Sequence, residues 1–113
     1  MRQIEKQMNS AIWLQKNWAG SNTTVITVDD ISTVMLHGNQ IATYFHDTKE
    51  LQLFDGGWQS NTTKSRLNAL CAEFATGFGV FQKNWEWFIS DFSNNKKDFI
   101  NGAIVDYSGC WGY

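Results

Sequence analysis

Apolar residues recur at steps of three and four along the start of the chain. Ile4, Met8, Ala11 and Ile12 share one stripe that continues through Gln15 to Trp18, which predicts an amphipathic helix over 3–18. Gly20 follows, placed to stop that helix in a left-handed conformation. From 23 to 54 the period changes. Thr24–Val28, Ser32–Leu36, Gln40–Phe45 and Leu51–Phe54 read as strands rich in β-branched and aromatic residues. Asp29-Asp30, His37-Gly38-Asn39 and Asp47–Glu50 supply the turns, and spacing near ten residues predicts an antiparallel meander.

Asp55-Gly56-Gly57 breaks the sheet, and Ser60-Asn61-Thr62-Thr63 offers N-caps for a helix over 62–75 that buries Leu67, Leu70, Cys71 and Phe74. Trp85, Trp87 and Ile89 alternate with Glu86, which predicts one strand over 81–89. A helix is the alternative there, because Phe81, Trp85 and Phe88 also match a helical stripe. Residues 91–98 read as a polar loop, and 99–105 as a turn and a last strand. The expected fold class is α+β: a single domain over 1–113, an antiparallel β-meander with two helices packed on one face.

Composition narrows the function classes. With 113 residues and 42% hydrophobic content the chain can build one core, which excludes disorder. No apolar run approaches the length of a membrane span, and the polar, periodic N-terminus predicts no signal peptide. No membrane partner is expected. A net charge of −2 gives no broad field to draw nucleic acid. There is no proline, so Gly, Asn and Asp must make the turns. Two cysteines, Cys71 and Cys110, make no disulfide framework, and reduced thiols in a cytoplasm are the expectation.

Two segments carry a resemblance: Leu36-His37-Gly38-Asn39-Gln40-Ile41-Ala42, and Gly56-Gly57-Trp58 running on to Arg66-Leu67-Asn68-Ala69-Leu70. They are similar to small accessory proteins of tailed bacteriophages, especially T7-like ones, over roughly residues 24–92, with Phe81-Gln82-Lys83-Asn84 and Trp87 as later markers. The resemblance implies a phage protein in the host bacterial cytoplasm, of a kind that often inhibits or redirects a host protein. It brings no catalytic residue with it.

Several constellations compete with plainer structural roles. Thr62, Thr63, Lys64 and Arg66, at a helix start after two glycines, can form an anion site, or can simply cap the helix and meet solvent. No GxxxxGK[ST] pattern is present. Trp18, Trp58 and Trp87 are expected in the core. Six indoles are hard to bury in a domain this small, which leaves Trp13, Trp85 and Trp111 as partner-binding residues. His37, His46 and Asp47 fit no metal-ligand spacing. Asp29, Asp30, Asp47 and Glu50 are turn acids before they are catalytic ones, and Cys71 has no evident histidine partner. Lys64, Arg66, Lys83, Lys96 and Lys97, with Trp85 and Trp87 on a strand, make a nucleic-acid surface the weaker alternative. The expectation is a non-enzymatic module without cofactor or metal that binds a host protein, with a homodimer through a self-complementary patch as another outcome.

Overall fold

The computed structural model describes residues 1–106, and it departs from the sequence pattern first at the end of helix α1 (Gln3–Trp13). Gln15 takes a left-handed φ of 51°. Its N–H donates to the Ile12 carbonyl, and the Lys16 N–H donates to the Ala11 carbonyl. That pair of bonds is a Schellman cap, with glutamine where glycine is commoner. The helix therefore ends before Trp18, which lies instead on the short strand β1 (Trp18–Gly20) opposite Val25. Gly20 is not the helix stop. A Cβ there would fall 2.4 Å from the Trp18 ring, so glycine makes room for the indole.

The chain continues through β2 (Thr23–Val28), β3 (Ile31–Leu36), β4 (Asn39–Phe45) and β5 (Glu50–Leu53) to helix α2 (Asn61–Phe74). Four more strands follow: β6 (Gly79–Lys83), β7 (Glu86–Ser90), β8 (Lys96–Asp98) and β9 (Ala103–Asp106). The main sheet is antiparallel in the order β1-β2-β3-β4-β5-β9, so the last strand returns to the edge of the meander. Both central residues are left-handed in the turns Asp29-Asp30 (φ 51° and 63°) and His37-Gly38 (51° and 79°). Such two-residue turns match the natural twist of the strands they join.

The stretch predicted as one strand over 81–89 is a hairpin. β6 and β7 pair through Lys83 and Glu86 across the turn Asn84-Trp85, and β8 joins them from the stretch expected to be a loop. The alternation of Trp85 with Trp87 therefore runs through a turn, and the two indoles do not share a strand face. Asn68 ties this small sheet to α2: its amide donates to the Val80 carbonyl at 2.9 Å and accepts from the Val80 N–H at 2.8 Å.

The core lies between the main sheet and the helices. The register row Val25, Val34, Ala42, Leu53 and Ala103 is buried, as are Met8 and Ile12 of α1 and Leu67, Leu70 and Phe74 of α2. This is the predicted α+β arrangement, with a second small sheet beside α2.

Candidate functional site

At the start of α2 the hydroxyls and cations have separate duties. Ser60 is the N-cap, its Oγ accepting from the Thr63 N–H at 3.1 Å. Thr63 is buried and donates through Oγ1 to the Trp58 carbonyl at 3.2 Å. Thr62 is half-buried in the first turn, and Lys64 Nζ donates to Gln82 Oε1 on β6 at 3.2 Å.

Arg66 points inward and is only 3% exposed. Its Nη1 donates to Glu5 Oε2 at 2.8 Å, Nε to Thr23 Oγ1 at 3.1 Å and Nη2 to Asn22 Oδ1 at 3.2 Å. Ser65 Oγ donates to the same Glu5 oxygen at 2.6 Å, and the Arg2 N–H donates to Glu5 Oε1 at 3.1 Å. Burial pushes the Glu5 carboxyl up, but the hydrogen bonds from Ser65, the Arg2 N–H and Arg66 outweigh it and hold its pKa below the usual value. The expected anion set of Thr62, Thr63, Lys64 and Arg66 thus does not converge. Arg66 locks α1, α2 and the start of β2 together, through a partner 61 residues away that local spacing could not reveal.

The exposed indoles fall at two ends of α2. Trp13 is 55% exposed and packs its ring 5.1 Å from that of Phe74, at the C-terminal end of α2. Trp85 is 90% exposed at the hairpin tip. The contacts Asn68–Val80 and Lys64–Gln82 run β6 back along α2, so the tip lies by the helix N-terminus. Trp13 and Trp85 are therefore separated by about the length of α2, roughly 20 Å at 1.5 Å per residue. Trp111 and Cys110 lie outside the described residues.

Trp58 corrects the expectation of a core anchor, since it is 76% exposed. Gly56 and Gly57 take left-handed φ of 71° and 80°, and Asp55 Oδ1 accepts the Gly57 N–H at 2.8 Å. That tight turn holds the backbone of Trp58 and leaves its ring in solvent. The double glycine was the signal that could have predicted this. Trp58 walls a cleft of about 300 Å³ floored by Leu36 and Ile41. Beside it, Gln59, Trp85, Glu86 and Phe99 line another of about 330 Å³. Trp58 and Trp85 thus stand on adjacent loops at one end of the molecule. Trp87 is buried as expected, edge-on to Phe99 at 5.5 Å, while Trp18 is half-buried.

His46 Nε2 lies 2.8 Å from Ser32 Oγ, but Ser32 is fully buried and cannot meet a substrate. Burial lowers the pKa of His46, with Asp30 acting in the opposite direction. His37 is exposed in its turn. Among the described residues no group of three or more His, Cys, Asp or Glu side chains could hold a metal ion. Cys71 is fully buried, which pushes its thiol up to about 12 and keeps it protonated. On the small sheet Phe81 and Phe88 stack at 5.4 Å, with Lys96 Nζ 4.8 Å from the Phe88 ring centre.

A family model described as the Kyanoviridae Gp96 protein matches residues 1–106. The chain belongs to that family. This makes it a phage protein, while the narrower likeness to T7-like phages is not part of the match. No curated protein and no solved structure matches the chain. No helix among the described residues is long and apolar enough to cross a membrane.

Proposed function

We propose that this phage protein is a non-enzymatic binding module that docks on a host protein in the bacterial cytoplasm and inhibits or redirects it. Trp85 carries the proposal. Its φ is 69°, in a two-residue turn whose geometry favours glycine, and its ring is 90% exposed. A left-handed backbone costs a side-chain-bearing residue about 1–2 kcal/mol, and among the described residues little burial of the Trp85 ring offsets that. An indole kept at such a position fits a surface held ready for a partner. Trp58 stands on the neighbouring loop, and tryptophan is enriched among residues that dominate protein interfaces. Membership of a phage protein family supports a role inside an infected host.

The test is capture from host lysate with the tagged full chain. The wild type should retain one host protein in stoichiometric amount, and Trp58→Ala with Trp85→Gly should release it. Trp13→Ala, at the far end of α2, should not. If wild type and the Trp58/Trp85 variant recover the same proteins, the reading fails. Light scattering on the purified chain separates a host partner from a second copy of the chain.

A further inference from the structure

The surface of α1 and β1 carries a different chemistry. Residues 1–28 contain three cations, Arg2, Lys6 and Lys16, and one acid, Glu5. Glu5 is buried and paired with Arg66. The surface built from α1 and β1 is therefore cationic, although the whole chain carries −2. Between α1 and β1 runs a cleft of about 600 Å³, lined by Lys6, Lys16, Trp18 and the amides Gln3, Gln7 and Asn17, and by no acidic residue. Neither lysine has an ion-pair partner among the described residues.

Trp18 forms one wall of this cleft. Its ring lies over Gly20, with Cζ2 2.4 Å and Cη2 2.8 Å from where a Cβ would sit. The glycine lets the indole rest close against the strand, and Trp18 both packs on the core and lines the cleft. Asn17 Oδ1 accepts the Thr27 N–H at 2.9 Å, which fixes the segment that carries Lys16 and Trp18.

We propose that this cleft binds a nucleotide, either free or as one unit of a single strand. The shared chemistry is a flat base joined to a phosphate. The indole offers a stacking face, as in single-strand binders. The amides can both donate to and accept from base edges. Lys6 and Lys16 meet the phosphate with charge-assisted hydrogen bonds. A cleft of this volume is in the range that holds small ligands.

The test is fluorescence anisotropy of a labelled oligothymidine with the full chain at low and at physiological salt. The wild type should bind at low salt and weaken as salt rises. Lys6→Glu with Lys16→Glu should lose about tenfold or more, because charges in the cleft are reversed. Lys64→Glu with Lys83→Glu, neither of which lines the cleft, should bind as wild type. Trp18→Phe keeps a stacking ring and should stay near wild type, whereas Trp18→Leu should bind clearly less, with thermal unfolding confirming that each variant is folded. Competition by free thymidine and adenosine nucleotides at similar molar excess assigns the site to free nucleotide, and their failure to compete assigns it to a strand. The proposal is overturned by no anisotropy change with strand or nucleotide at low salt. It is equally overturned by undiminished binding in the Lys6/Lys16 variant, or by a polyglutamate peptide competing as well as the oligonucleotide.

Discussion

Glu5 and Arg66 show how one residue can be misread by its surroundings in sequence. Arg66 sits two positions after Lys64 at a helix start, yet it faces a carboxylate from the first helix. Removing one partner of a buried pair leaves the other charged and unsolvated, which typically costs about 3–5 kcal/mol. Glu5→Ala should lower stability by that order in urea unfolding, and Glu5→Gln by less, because the amide oxygen still accepts from Ser65 and Arg66. Gly56 makes a second residue-scale case. Its φ is 71°, and a Cβ would meet Ile41 Cγ2 at 3.1 Å. Gly57 has φ 80° and open space around it. Gly56→Ala should cost about 1–2 kcal/mol and Gly57→Ala about 1 kcal/mol, read as a shift of the urea midpoint.

Several turns and caps use non-glycine residues in left-handed conformation, and two of them, Gln15 and Trp85, each make a prediction. Gln15 closes the Schellman cap of α1 at φ 51°, so Gln15→Gly should stabilise the fold by about 0.5–1 kcal/mol, read as a shift of the urea midpoint. Trp85→Gly should likewise raise the melting temperature, because the turn of β6 and β7 prefers glycine at that position. For Trp85 the gain in stability should come with loss of the captured host protein. A variant that is both more stable and still competent in capture would show that the indole has no interface role. The boundaries of α2 and the four meander strands were legible from period and turn residues. The hairpin was not, because Asn84-Trp85 lacks the glycine that marks such a turn, and the apparent alternation ran straight through it.

At the scale of the whole molecule, stability should fall on acidification in two steps. Glu5 and His46 both bind protons more weakly in the fold than their ordinary values of 4.5 and 6.5 imply. The unfolded chain therefore takes up those protons first as pH drops, and the fold loses stability relative to it. Above pH 6.5 both contributions are fully present. The His46 share is lost as pH falls below that value, and the Glu5 share below 4.5. Urea midpoints measured across pH should show both steps. His46→Gln should flatten the upper one, and Glu5→Gln the lower one. A midpoint that stays constant from about pH 8 to about pH 4 would contradict the assignment. Cys71 adds a check on the core. In a Cys110→Ser background, thiol labelling should proceed only as fast as the chain unfolds, since the buried thiol stays protonated.

The sequence by itself determined the class of fold, most element positions, the absence of a broad basic field and the surplus of indoles. Those properties depend on local period, turn chemistry and composition, all of which act within a few residues of chain. Only the tertiary structure decided which indoles are surplus. It put Trp58 in solvent and Trp87 in the core, set Trp85 at a hairpin tip, and moved Trp18 from the predicted helix to an edge strand. It also drew Arg66 out of the anion cluster, and gathered Lys6, Lys16 and Trp18 around one cleft. Burial and charge pairing depend on what the folded chain brings together across many residues, and no local pattern records that.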